Sequence, residues 1–295
     1  MSKYFFLITI ALLCAGATHA QQKSINPEIT SSNKQLTKTF EWAVEKARSY
    51  VQTGKQGPIN ISEAKNSADN LIKTAYIPSY WAGYPLRSAF YSRDFCHQIS
   101  GAHLLGLQDE NYQMLTAFAK SADSNKKGYP LWAINFDGSP YILDYKDDND
   151  FVREVPAVFE LVEKGYELYL WTGDRRYIFD QTLWNYYSQA VTTFVNNHDS
   201  QIKNGVAEGT GKGIFQGVAT YNEQHDHPLI EAGDGIASQY KAFLAYATMA
   251  KIRGDKKLAA EYFLTPTINR RHWKCISPII SFCIFYSPIF IKVGF

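Results

Sequence analysis

Two short connectors that place aspartate directly after glycine constrain the fold of this chain most strongly. One is Thr172-Gly173-Asp174 and the other is Gly254-Asp255, and each separates two stretches with helical periodicity. Glycine commonly closes one helix and aspartate caps the next, so each connector predicts a helix that turns back into another helix. Repetition of such helical hairpins favours a toroid or solenoid over a compact bundle.

Apolar periodicity predicts helices along most of the chain. The first of them carries an apolar stripe made by Leu36, Phe40, Val44 and Ala47. The predicted helices cover residues 36–51, 94–106, 109–122, 154–170, 175–196, 236–253 and 256–263. One small β-hairpin is expected near residues 130–144, where Asp137-Gly138 is a strong turn pair between two apolar runs. The fold is therefore expected to be mainly α with a small β-hairpin insertion.

The first twenty residues predict a cleavable signal peptide. A basic start at Lys3 is followed by an apolar run over residues 4–13 and by small residues up to Ala20. This order is typical of export, and the apolar run is too short to span a bilayer comfortably. We therefore expect an exported protein, periplasmic or extracellular, whose main domain covers residues 21–263.

Residues 264–295 differ from the rest of the chain. They contain four basic residues and no acidic one, and they are apolar without a helical period. A membrane anchor is one interpretation, but Pro278 and Pro288 interrupt a run that is only marginally long enough. The other interpretation, which we favour, is that the reading frame was lost near residue 264. On that interpretation the domain is cut short and no stable membrane span is expected.

The charge of the body excludes a nucleic-acid footprint. The whole chain has 30 Lys plus Arg against 28 Asp plus Glu. Lys3 and the basic residues of the tail lie outside residues 21–263, so the body carries a slight excess of acids. Cys96 is its one cysteine, which excludes an internal disulfide there. The high aromatic content suits a carbohydrate cleft, although core packing is the ordinary role of any single aromatic residue.

Carboxylates recur at the openings of alternate predicted helices. They are Asp94, then Asp150 and Glu154, and then Glu231 and Asp234. If successive helical hairpins surround a common axis, these openings lie at one end, and the acids converge on one surface. We expect that surface to be a concave pocket that also contains Trp81 or Trp132. Paired carboxylates are what an inverting glycosidase needs, at a separation of about 6.5–9.5 Å.

Residues 80–263 resemble the six-hairpin glycosidases, the (α/α)6 toroids that include trehalases, glucoamylases and α-L-rhamnosidases. The resemblance rests on residues 90–98 (FYSRDFCHQ), on the connector that begins at Trp171, and on residues 231–240 (EAGDGIASQY). It implies an incomplete (α/α)6 toroid that cleaves a glycosidic bond with inversion and needs no cofactor. A carbohydrate is then the expected partner, and Arg93 and Asp94 are implied to hold the hydroxyls of the sugar.

The resemblance also implies that residues 231–235 carry the general acid. Their spacing departs from the family pattern by one position, so Asp234 and Glu231 both remain candidates. Asp234 ranks first because Glu231 would press on it with like charge, whereas Asp94, as a helix cap, is expected to stay ionised. Family members draw the water-activating base from a later hairpin, and Glu154 and Glu208 are the alternatives within this body. We therefore expect little hydrolase activity from the chain as written.

Five further residues are predicted to contact the substrate. The set consists of His97, Asp150, Glu154, Trp81 and Trp132. No metal site is expected, since the His-x-His of residues 225–227 lacks a third spaced ligand.

Two other classes of function remain open. A toroid polysaccharide lyase would use Tyr91, Arg93 and His97 to abstract a proton beside a uronate carboxylate. A noncatalytic glycan-binding protein would use the same aromatic residues without chemistry. A lyase product absorbs in the near ultraviolet and a hydrolase product does not, which separates the two enzymes.

Overall fold

The structure, a computed structural model, describes residues 27–60, 71–84, 87–221 and 228–268. The predicted signal peptide lies outside these ranges, and so do residues 225–227 and all of the tail after Ile268. The described part is mainly helical, as predicted, with three short antiparallel strand pairs. None of its helices combines the length and the apolar character needed to cross a membrane.

Nine α-helices occur among the described residues. They are α1 (Lys34–Ser49), α2 (Ser92–Leu104), α3 (Gln108–Ser121), α4 (Val155–Thr172), α5 (Arg176–Phe179), α6 (Gln181–Gln189), α7 (Val195–His198), α8 (Gly233–Ile252) and α9 (Lys256–Ile268). A π-helical turn, Ala190–Phe194, joins α6 to α7, and a 3-10 turn covers Ile214–Gln216. The prediction of one continuous helix over residues 175–196 was wrong, because Asp180 ends α5 and caps α6 by accepting the N–H of Leu183 at 3.1 Å.

The two glycine–aspartate connectors behave as predicted. Gly173 and Gly254 adopt positive φ angles of 67° and 93° at the ends of α4 and α8. Asp174 then accepts the N–H of Arg176 at 2.8 Å, and Asp255 accepts the N–H of Leu258 at 2.9 Å. Each glycine therefore closes a helix and each aspartate accepts an N–H from the first turn of the next, although the cap position of α5 is Arg175 rather than Asp174.

The longer helices pack in two sets. α2 lies against α4, and α4 lies along α8, whereas α3, α6 and α9 pack against the outer sides of this row. α4 and α8 meet closely because α8 presents small residues such as Ala242 and Ala247, which are fully buried. Rings fill the space between the two sets, and Phe95, Phe118 and Phe159 are also fully buried there.

The strands pair differently from the prediction. They are β1 (Gln56–Asn60) with β2 (Leu71–Ala75), β3 (Ala89–Tyr91) with β4 (Ala133–Asn135), and β5 (Tyr145–Asp147) with β6 (Asp150–Phe151). The turn at Asp137-Gly138 forms, and Asn135 donates its N–H to Ser139 at 2.8 Å. The returning segment, however, adds only one bridge, from Pro140 to Ile134. The main partner of β4 is β3, which precedes α2 in the chain.

Helix α1 is attached loosely to the rest of the described structure. It contains no buried residue, and Leu36 of the predicted apolar stripe is 52% exposed. The remaining stripe residues Phe40, Val44 and Ala47 are only half-buried. The guanidinium of Arg48 donates to the carbonyl of Leu105 at the end of α2, at 3.1 Å. Helix α1 therefore stands beside α2 without packing tightly against it.

Candidate functional site

The starts of α2 and α4 meet in a buried ion pair. Arg93, the second residue of α2, places Nη1 3.3 Å from Oε1 of Glu154, which directly precedes α4. The indole Nε1 of Trp132 donates to Oε2 of the same carboxylate at 2.9 Å. The side chain of Glu154 is fully buried, whereas that of Arg93 keeps 23% of its surface exposed. The side chain of Arg93 therefore contacts the buried carboxylate and keeps part of its own surface exposed.

Residues 218–221 connect this pair to the start of α8. Arg93 Nη1 donates to the carbonyl of Tyr221 at 3.0 Å, and its guanidinium lies 5.2 Å from the centre of the Tyr221 ring. Oδ2 of Asp234 accepts the hydroxyl of Thr220 at 2.7 Å and the N–H of Tyr221 at 3.0 Å. The helix starts of α2, α4 and α8 thus come together, which brings Arg93, Glu154, Trp132 and Asp234 into one connected set.

Asp234 fills a structural role in this arrangement. It is the second residue of α8, whereas the sequence predicted that it precedes the helix. Its Oδ1 also accepts the N–H of Gly235 at 3.0 Å. A Cβ at position 235 would lie 2.6 Å from the carbonyl oxygen of Ala219, so the glycine allows the 218–221 segment to approach.

Glu231 lies just before α8 and has a different environment. Its Oε1 accepts the side-chain amide of Asn204 at 2.7 Å. Burial raises the pKa of Glu231 above its usual 4.5; the Asn204 hydrogen bond lowers the pKa in part, and the nearby charges of Glu208 and Asp199 raise it. The sequence interpretation expected like-charge pressure on Asp234 from Glu231. In the structure, like charge acts on Glu231 instead, where Glu208 and Asp199 raise the pKa.

Glu208, an alternative for the water-activating base, holds a loop in place. Burial acts to raise its pKa, but the N–H groups of Ile202, Gln201 and Ser200 donate to the carboxylate and lower the pKa overall. Both oxygens are engaged in this way, and Glu208 is buried. Its geometry therefore suits a structural anchor.

Glu160 is a carboxyl that the sequence analysis did not select. It lies in the second turn of α4, and its Oε2 is buried without a hydrogen-bond partner among the described residues. Burial raises the pKa of Glu160, although Tyr221 and His97 nearby lower it in part. Burial likewise raises the pKa of the Tyr221 hydroxyl, with Glu160 adding to the shift. The sequence feature that could have identified it is a single acid inside the apolar run of residues 155–162.

Other predicted site residues lie outside this connected set. Asp94 is the third residue of α2, because Tyr91 occupies the cap position, so the expectation that Asp94 caps the helix was wrong. Asp94 is partly exposed and makes no hydrogen bond or ion pair with the described part of the chain. Asp150 pairs with Lys146 at 3.3 Å on the exposed β5–β6 hairpin.

Trp81 and His97 line a separate cleft between α1 and α2. Trp81 therefore lies apart from the helix-start set, whereas Trp132 contacts Glu154 as described above. The described residues also contain no group of three or more His, Cys, Asp or Glu side chains that could hold a metal ion.

Comparisons with known protein families, with curated proteins and with solved structures find no match to this chain.

Proposed function

We propose that this protein is an exported glycoside hydrolase with an (α/α)6-type arrangement of helices, in which α2, α4 and α8 form the inner row and α3, α6 and α9 the outer one. The observation that carries the proposal is the connected set at the three inner helix starts. Arg93 bridges Glu154 and the 218–221 segment, and Asp234 fixes that segment from α8. A sugar approaching this end meets the partly exposed side chains of Arg93 and Asp94.

Arg93 and Asp94 supply the contacts to sugar hydroxyls in this proposal. A guanidinium offers five N–H donors in a fixed plane, and a carboxylate offers only acceptors, so the two side chains together match a hydroxyl pair. Glu154 is fully buried and cannot meet the sugar. It acts as a positioning residue that orients Arg93, together with the indole of Trp132.

Glu231 is the proposed proton donor. A general acid must keep its proton near the working pH, and burial with two neighbouring acids raises the pKa of Glu231 in that direction. Asp234 instead accepts three hydrogen bonds that hold the loop and the helix start. The order of the two candidates is therefore reversed relative to the sequence argument.

Tyr91 supports a hydrolase over a lyase. Its ring is buried, and its hydroxyl accepts a bond from Arg87 at 2.6 Å and donates to Asp144 at 3.3 Å. Burial is the main cause that raises the pKa of Tyr91, with Asp144 adding to it. A tyrosine that holds its proton so firmly is a poor base for removing a proton from a uronate.

The test compares matched variants on a panel of unactivated α- and β-linked disaccharides. Glu231→Gln is expected to lower the rate by roughly 10²–10⁴-fold with the fold intact, because a positioned general acid contributes that much. Wild-type turnover itself is expected to be slow, since Glu154 and Glu208, the two alternatives for the base, are both occupied. Glu163→Gln is the control, because Glu163 pairs with Lys241 at a partly exposed site away from the helix starts.

Four outcomes decide between the assignments. Asp94→Asn separates two roles of Asp94. Loss of hydroxyl binding would raise KM, whereas loss of water activation would lower kcat. Asp234→Asn should lower the melting temperature, because the side chain anchors residues 220 and 221. An inactive Asp234→Asn variant of unchanged stability, beside a fully active Glu231→Gln variant, would return the acid role to Asp234. Binding of a glycan without any turnover would favour the noncatalytic class.

A further inference from the structure

A cleft of 550 Å³ separates α1 from α2. One wall is a face of α1 that begins at Trp42, and the other is a face of α2 that begins at His97. The lining residues follow at the same intervals along both helices. Tyr80, Trp81 and Leu107 are among the residues that complete it. Ligand pockets usually have volumes of about 300–1,000 Å³, so the cleft is large enough for a small molecule or for part of a chain-like one.

Aromatic side chains dominate one wall of this cleft. Trp42 is 63% exposed and makes no ring contact with another aromatic side chain of the described ranges. Tyr50 meets Trp81 edge-on, with ring centres 6.2 Å apart, and Lys46 lies 5.2 Å from the centre of the Tyr50 ring. An indole left open at the mouth of a cleft is a surface that gains from being covered by a ligand.

Polar groups are interleaved with these rings. The Tyr50 hydroxyl, the His97 ring, the Gln98 amide and the Lys46 amino group all belong to residues that line the cleft. None of the four makes a hydrogen bond to a described residue. Covering them with an apolar helix face or a second apolar surface would leave these groups unpaired, which costs free energy.

We propose that the cleft between α1 and α2 binds a saccharide unit. A sugar ring has apolar C–H faces that fit against Trp42 and hydroxyls that pair with Gln98, His97 and the Tyr50 hydroxyl. This binding goes beyond the proposed hydrolysis, because it needs neither Glu231 nor the other groups of the helix starts. His97 lies one helical turn after Arg93 on α2, so a glycan chain held in the cleft is adjacent to that end of the helix.

The test is isothermal calorimetry of the full chain with four probes: cellohexaose, maltohexaose, mannohexaose and hexagalacturonate. At least one probe should bind, and Trp42→Ala should weaken that binding roughly tenfold or more, the loss expected for one good aromatic contact. Gln98→Ala should weaken it as well. Trp171→Ala is the matched control. Trp171 is 47% exposed in the last turn of α4, and it does not line the cleft. Its affinity should equal that of the wild type.

The cleft proposal is overturned if no probe binds, or if Trp42→Ala and wild type bind equally tightly. It is also overturned if sedimentation velocity shows a dimer that Trp42→Ala dissociates, because a second copy would then occupy the cleft. Binding is read without turnover, so the two proposals fail separately. A chain that binds in a Trp42-dependent way but hydrolyses nothing would contradict the proposed function alone.

Discussion

Glu154 is the residue on which the proposed site depends most. One carboxylate accepts from Arg93 and from Trp132, and it lies entirely out of contact with water. A buried carboxylate is tolerated only when such partners satisfy it, and the partners lose their acceptor if it is removed. Glu154 therefore links the stability of this region to the orientation of Arg93.

We predict that Glu154→Ala lowers the free energy of unfolding by about 3 kcal/mol, because breaking a buried ion pair leaves its partners desolvated. Glu154→Gln keeps an acceptor for the Trp132 indole and should cost less. The measurement is urea-induced unfolding followed by circular dichroism.

Lys241→Ala provides the control for this comparison. Lys241 pairs with Glu163, and the lysine side chain is 44% exposed. Such surface ion pairs contribute about 0–1 kcal/mol to the free energy of unfolding. A Glu154→Ala protein as stable as Lys241→Ala would contradict the structural role given to Glu154.

Much of the site chemistry at this scale could not be read from the sequence. Glu231 was selected from its position before a predicted helix, but the acids that raise its pKa, Glu208 and Asp199, come from a loop with no helical period. Glu160 was missed because a single acid in a predicted helix ordinarily lies on the solvated face. The groups that act on its pKa, Tyr221 and His97, come from segments that are distant in sequence.

Among the elements, α4 shows how closely the inner row is packed. Gly165 lies at the middle of α4, where a Cβ would collide with the hydroxyl end of Tyr187 from α6. Tyr187 is fully buried and has little room to move. The glycine is therefore required by the contact between two helices, since its own φ angle is ordinary.

We predict that Gly165→Ala destabilises the protein by about 1–3 kcal/mol through overpacking. Gly101→Ala is the matched variant: Gly101 is also inside a helix, is exposed, and has no atom within 4 Å of an added Cβ. That change should stabilise by about 0.5–1 kcal/mol, because alanine favours the helix. Thermal unfolding of both variants gives the comparison, and equal effects at the two positions would refute the packing argument.

Sequence rules that use only neighbouring residues predicted most helices. They failed where contacts between distant segments decide which strands pair. The connectors at Gly173 and Gly254 needed only residues that are neighbours in sequence, so their prediction was confirmed. The partner of β4 is more than forty residues earlier in the chain, at β3. A turn pair at Asp137-Gly138 carries no information about that competitor, so the predicted hairpin was reduced to a turn with one bridge.

At the scale of the whole molecule, the ordering of helices explains which acids converge. The starts of α2, α4 and α8 meet, and this brings the regions of Arg93, Glu154 and Asp234 together although they are far apart in sequence. Asp150 was predicted to belong to the site because it is close to Glu154 in sequence. In the structure it lies on the exposed β5–β6 hairpin and pairs with Lys146. The periodicity of the chain predicted the convergence of helix starts but not the direction of individual side chains.

The most direct test of the glycosidase proposal is a proton NMR time course of the full chain with the disaccharide it cleaves best, read for the anomer of the first product. We expect slow release of a product with inverted configuration at the anomeric carbon, and loss of that product in Glu231→Gln. A product of retained configuration, an unsaturated uronate, or equal product from wild type and Glu231→Gln would contradict it.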